Sequence, residues 1–205
     1  MDLLSHALVG GLVASAGLQK KYGLVASATM VAANLIPDLD GAFTALGPKY
    51  FFQYHRHPLT HSVGGATLLS AALTAIVCLA TPLKRPWLVF GVSLSGMTLH
   101  LLSDLLTPWP IPLFWPLSTR TYSLDLIHFF DPFLLAILGV GFLVIQRRAA
   151  WAVPALLLTG LVTAGYLGFR AYGKQVALDL VRRRVRQGKW RPFPMACVLS
   201  CGMWS

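Results

Sequence analysis

The sequence contains no glutamate. Its seven acidic residues are all aspartate, at positions 2, 38, 40, 104, 125, 131 and 179. Solvated helix surfaces use glutamate freely because it is a good helix former. Its absence also rules out a His-Glu-x-x-His zinc helix. Charge of either sign is scarce, at 12% of residues against about 25% in a soluble domain. Cysteine is scarce too. Cys78 lies in an apolar run, and Cys197 and Cys201 lie near the end. No Cys-x-x-Cys metal motif occurs. The spacing of the last two leaves a disulfide open, and cysteine usage fixes no compartment. No Gly-x-Ser-x-Gly elbow and no Gly-x4-Gly-Lys-Ser/Thr phosphate loop is present. Asp2 and His6 stand where a signal peptide would carry basic residues, so no signal peptide is expected.

The chain is instead apolar. Of its 205 residues, 56% are hydrophobic, and the mean hydropathy is +0.64. The expected fold is all-α, a polytopic transmembrane bundle of four to six membrane helices. Apolar runs cover 3–19, 22–36, 62–81, 87–106, 132–146 and 151–169. The first two are short for a span of ~20 residues, and a re-entrant hairpin is open to them. Four prolines between 108 and 116 forbid a regular helix there and point to a cap at the interface. From Arg170 the chain turns basic. The expected division is therefore a membrane domain over 1–170 and a tail over 171–205, a surface helix followed by irregular chain.

The formal net charge is +10, much of it in Lys20-Lys21, Lys84-Arg85, Arg147-Arg148 and the tail. That placement suits anionic lipid. With no groove-reading motif, nucleic acid is not an expected partner. If all the runs cross, the three dyads share one end of the bundle. His6, the stretch from Asp38 to His61 and the stretch from His100 to Asp131 share the other. The positive-inside rule puts the dyads in the cytoplasm and the motif end outside. The eight Lys and Arg from Arg170 onward argue the reverse, and the dyads are preferred.

At that end the polar residues are types that bind metal. Three of the six histidines fall within seven residues: His55, His57 and His61. His57 and His61 stand four apart, a spacing that puts two rings on one helix face with Pro58 at the first helical position. His55 is the alternative to His57. His100 and Asp104 repeat the spacing at the end of an apolar run, where ionisable groups are costly and are functional candidates. Asp38 and Asp40 flank Leu39, so in an extended turn one ligates while the other orients an imidazole or acts as base. His6 joins by position. Asp131, before Pro132, is a helix cap and a further ligand candidate. Asp125 shares the base role with Asp40, and His128 is a weaker ligand. Arg56 and Arg120 are the arginines of the motif loops and suit an anionic substrate group. Thr60 and Ser62 either support ligands or cap a helix. Histidine with carboxylate and no thiolate suits a divalent ion, Zn²⁺ first, then Mn²⁺, Ni²⁺ or Fe²⁺.

These residues also carry a resemblance. An early His6, the Asn34-Leu35-Ile36-Pro37-Asp38-Leu39-Asp40 turn, the His55-Arg56 to Thr60-His61-Ser62 stretch, His100 to Asp104, and Tyr122-Ser123-Leu124-Asp125 to Asp131-Pro132 together resemble the YdjM-like (LexA-regulated) membrane-bound metal-dependent hydrolases. The resemblance spans about residues 1–170. The interval from His55-Arg56 to Thr60-His61 is a residue longer than that family's usual one. The resemblance implies a multi-pass inner-membrane hydrolase that acts through a metal-activated water. A looser likeness to zinc-dependent phospholipase C enzymes implies a lipid, other amphiphile or phosphoester as substrate. The alternative is a divalent-metal transporter or a metal-binding membrane protein without hydrolytic activity.

Overall fold

The structure is a computed structural model that describes residues 1–46 and 58–187, with the main chain alone at 42–46. It is all-helical. The single β feature among the described residues is an isolated bridge between Ile111 and Tyr122.

Helix α1 (Leu3–Val13) starts at Asp2, whose carboxylate accepts from the Ser5 amide at 3.0 Å and the Ser5 hydroxyl at 2.6 Å. A one-turn π segment (Ala14–Leu18) follows, and the chain turns back into α2 (Gln19–Leu35). Gly23 sits at φ +83°, a left-handed conformation open to a residue without Cβ. The two short apolar runs therefore form an antiparallel hairpin, with Gly10 against Val31 and Asn34. From Ile36, just before Pro37, the chain tightens into a 3₁₀ helix (Ile36–Leu46).

Helix α3 (Val63–Ala80) is capped by Ser62, whose hydroxyl accepts from the Gly65 amide at 3.1 Å. Helix α4 (Pro86–Leu105) has proline in its first turn, where the missing N–H costs nothing. It packs against both α2 and α3. At Gly96 a Cβ would lie 2.7 Å from the Ala33 Cβ and 2.8 Å from the Met30 carbonyl oxygen. No side chain fits there, and its absence lets α2 and α4 meet closely.

Residues 106–131 form an irregular cap. Ile111 and Tyr122 exchange backbone bonds of 3.0 and 2.9 Å. The Leu113 carbonyl accepts from Val63 at 2.9 Å, and Leu124 donates to the Leu105 carbonyl at 2.7 Å. These bonds pin the cap to the start of α3 and the end of α4. Helix α5 (Pro132–Arg147) follows, then a 3₁₀ turn (Ala149–Trp151) and α6 (Ala152–Arg186). The chain divides into two compact units, Met1–Leu167 and Gly168–Ser205.

Within the first unit, α1 packs on α5, and Leu12, Leu134, Leu138, Ala152 and Ala155 share one core cluster. A second cluster joins Ala33, Ala66, Met97, Leu101 and Ile111. Four helical stretches are long and apolar enough to cross a membrane: Leu3–Gly41, Val63–Ala80, Pro86–Leu105 and Ala149–Arg186, with Pro132–Arg147 shorter. Leucines such as Leu68, Leu79, Leu157 and Leu161 point outward, as on a lipid-facing surface.

Two local expectations are corrected. Residues 58–62 form a turn and bend, with α3 starting at Val63. His61 therefore precedes the helix and does not share a helical face with residue 57. Asp38 and Asp40 lie in a 3₁₀ helix, not an extended turn, and this lets both approach one ring.

Candidate metal centre

The ends of α1, α2 and α4 and the turn before α3 converge. Each brings an ionisable side chain into one buried space. His6, His61, His100 and Asp104 are fully buried, and Asp38 is nearly so. His6, Asp38, His100 and Asp104 each offer a ligand atom within 4.8 Å of the others. His61 joins them from the turn.

The separations are specific. His61 Nε2 lies 3.4 Å from His100 Nε2, 3.5 Å from Asp38 Oδ1 and 3.3 Å from Asp104 Oδ2. His100 Nε2 lies 3.6 Å from Asp38 Oδ1 and 3.5 Å from Asp104 Oδ2. Donor atoms ~2.0–2.2 Å from a tetrahedral ion stand about 3.3–3.6 Å apart, and these five separations all fall in that range.

The ring tautomers agree. His100 Nδ1 is 2.8 Å from the Asn34 carbonyl oxygen. A carbonyl only accepts, so Nδ1 carries the proton and Nε2 turns its lone pair to the cluster. His61 Nδ1 is 2.9 Å from Thr60 Oγ1 and 3.3 Å from Asp40 Oδ2. Thr60 donates its own hydroxyl proton to Asp40 at 2.8 Å, so its oxygen accepts from Nδ1, and His61 Nε2 also faces the cluster. Two ring nitrogens and two carboxylates thus converge in a buried space, an arrangement that calls for a cation. Without a metal, the cation is His61 itself. Burial pushes its pKa down, but hydrogen bonds to Asp104, Asp38 and Asp40 outweigh burial and hold it up at about 10. The Met1 ammonium also donates to Asp104 Oδ1.

His6 stands on the far side of the same carboxylates. Its Nε2 is 3.6 Å from Asp38 Oδ2 and 3.4 Å from Asp104 Oδ1, and neither ring nitrogen has a hydrogen-bond partner among the described residues. A fully buried imidazole without a partner is costly. The donor set, the spacing and this orphaned ring all fit a divalent ion.

Other candidates lie elsewhere. Asp131 is not gathered into the group. Its Oδ1 accepts from the Phe133 and Leu134 amides, both at 3.1 Å, and its Oδ2 accepts from the Tyr166 hydroxyl at 2.7 Å, the work of a helix cap. Asp125 is exposed on the cap at φ +50°. Arg120 is exposed, with its guanidinium 5.8 Å from the Tyr122 ring centre. His128 is exposed as well. His55, Arg56 and His57 lie outside the described residues. Sequence reasoning missed the Asn34 carbonyl, because a backbone acceptor leaves no mark on residue choice.

A helical bundle with several membrane-length segments and a buried His/Asp cluster at one end defines a polytopic membrane protein with a candidate metal centre. The family model described as "YdjM inner membrane protein" matches residues 1–177, and the chain belongs to that family. It is 33% identical over 93 residues to proteins named "Inner membrane protein YdjM" from Escherichia coli (strain K12) and from Shigella flexneri. Each match covers 42% of this chain and 46% of the relative. The chain thus spans about half the length of the curated relatives it matches. No solved structure matches. The relatives and the apolar helices place the protein in the inner membrane.

Proposed function

We propose that this protein is a membrane-bound metal-dependent hydrolase acting on a lipid or other membrane-associated substrate, a phosphoester among them. The observation that carries the reading is the convergence of His100 Nε2, Asp38 Oδ1 and Asp104 Oδ2 on His61 Nε2, at 3.4, 3.5 and 3.3 Å, among buried side chains. Those four side chains hold the ion, and Zn²⁺ suits the donor set best, ahead of Mn²⁺, Ni²⁺ and Fe²⁺. A divalent ion supplies a Lewis acid and lowers the pKa of water to ~7.

The remaining residues serve that shell. Asp40 and Thr60 hold His61 by Nδ1, and the Asn34 carbonyl holds His100 by Nδ1, the second layer that fixes ligand orientation. We therefore assign Asp40 a positioning role in preference to that of base. Burial keeps the dielectric low, which strengthens each contact made inside. The cap, with exposed Phe114, Leu117 and Phe130, covers the same end and offers apolar surface to an amphiphile at the headgroup level.

Transport is the weaker reading. A carrier needs ionisable groups along the bilayer, whereas these crowd one end. The test is hydrolysis of phosphoester, carboxylic ester and amide lipids by the detergent-purified protein. Turnover is expected to stop with a chelator, return with Zn²⁺ or Mn²⁺, and be absent in Asp104→Ala. Metal-loaded protein inert across all three bond classes sinks the hydrolase reading, and metal uptake into vesicles would favour transport.

A further inference from the structure

We propose that the site holds two cations, bridged by Asp38 and Asp104. The inference rests on the metal-site reading above and adds a second ion and a role for His6.

Both carboxylates are divided between two sets of rings. Asp38 turns Oδ1 to His61 and His100, at 3.5 and 3.6 Å, and Oδ2 to His6, at 3.6 Å. Asp104 repeats the division, with Oδ2 facing His61 and His100 at 3.3 and 3.5 Å, and Oδ1 facing His6 at 3.4 Å. An ion held by each carboxylate through one oxygen leaves the second oxygen for another partner. Here each carboxylate has its second oxygen aimed at the same buried, partnerless imidazole. That is the pattern of two carboxylates bridging neighbouring ions.

The rings weigh independently against a single shared ion. An ion lies close to the plane of any imidazole that binds it, ~2.0–2.1 Å from the nitrogen. His6 and His100 are stacked, with centroids 4.0 Å apart and planes inclined by only 20°. Planes so nearly parallel meet well beyond the length of a metal–nitrogen bond, which argues against one ion lying in both even though the two rings offer ligand atoms within 4.8 Å of each other. Stacked rings with ligand atoms within 4.8 Å of each other instead address two points, a separation compatible with the ~3.5–4 Å of two-metal hydrolytic sites. His61 and His100 are inclined by 61°, and their nitrogens converge as ligands of one ion do. The first position therefore takes His61, His100, Asp38 Oδ1 and Asp104 Oδ2. The second takes His6, Asp38 Oδ2 and Asp104 Oδ1, and the Met1 ammonium already sets a positive charge against that last oxygen. With three protein ligands the second position is the more open, as in catalytic sites that keep a place for water or substrate.

The test counts ions in the full chain, purified in detergent and stripped with a chelator. Equilibrium dialysis against Zn²⁺ with elemental analysis gives the number, and paramagnetic resonance of the Mn²⁺-loaded protein gives their proximity. Two ions per chain with an exchange-coupled Mn²⁺ spectrum is the expected result. His6→Ala is expected to keep one ion and show an uncoupled spectrum. If the wild type saturates at one ion with an uncoupled spectrum, the bridged pair is wrong while the metal site stands. If no ion binds, the metal-site reading falls with it. His6→Ala that still holds two coupled ions also overturns the proposal. If that variant does not fold, the wild-type count and spectrum decide alone.

Discussion

His61 has a carboxylate at each ring nitrogen: Asp40 at Nδ1, and Asp38 and Asp104 at Nε2. Asp40→Asn keeps the shape and weakens the grip on Nδ1. Loss of such an orienting carboxylate typically costs about 10–100-fold in metal affinity. Chelator competition is expected to show that loss with the site retained, and an unchanged affinity would remove Asp40 from the positioning role. pH acts on the same ring. Its pKa in the metal-free fold is raised from 6.5 to about 10. The charged pairing therefore stabilises the metal-free protein fully below 6.5 and is lost as pH rises through about 10. A metal takes the neutral ring, so proton and ion compete, and metal affinity rises with pH across that window. Calorimetry in buffers of different ionisation enthalpy is expected to show proton release on binding. His61, His100, Asp38 and Asp104 were legible in the sequence, because ionisable residues at the ends of apolar runs are few and costly. The Asn34 carbonyl was not legible, because a backbone acceptor leaves no mark on residue choice, and nor was the pairing of Asp40 with Nδ1, because it depends on a 3₁₀ turn that residue spacing does not specify.

Helices α2 and α4 set the distance between Asn34 and His100. Their contact at Gly96 has no room for a methyl group. Gly96→Ala must part the helices or strain them, and overpacking of this kind typically costs about 1–3 kcal/mol. Both the thermal midpoint and metal retention are expected to fall together, because the Asn34 carbonyl moves away from His100. Asp131→Ala separates the two effects. It removes the α5 cap, a loss of about 1 kcal/mol, and the Tyr166 bond. The midpoint is expected to fall with metal content unchanged, and metal loss would show that Asp131 serves the cluster after all. Proline made the middle spans legible: the runs at 62–81 and 87–106 became Val63–Ala80 and Pro86–Leu105, with Pro82 and Pro86 as punctuation. The hairpin of α1 and α2 was only one of two readings. Its reversal uses Gly23 and a π segment, and neither leaves a periodic signal.

At the scale of the molecule, the dyads and the cluster occupy opposite ends of the first unit. Chain reversals alone establish this. Lys20-Lys21, Lys84-Arg85 and Arg147-Arg148 lie between helices whose other ends carry His6, Asp38, His61, His100 and Asp131. We propose that the dyads face the cytoplasm. A membrane-impermeant thiol reagent outside intact cells is then expected to label Arg120→Cys and not Lys84→Cys, in a background without the native cysteines. The reverse pattern would invert the protein. The central claim, that residues distant in sequence share one ion-binding site, has its most direct test in elemental analysis of the detergent-purified protein. Wild type would be measured beside His61→Ala, Asp104→Ala and Asp131→Ala. The expected result is transition metal in wild type and Asp131→Ala, less in His61→Ala and none in Asp104→Ala. Wild type that holds no metal after reloading, or His61→Ala and Asp104→Ala that hold as much as wild type, would contradict it.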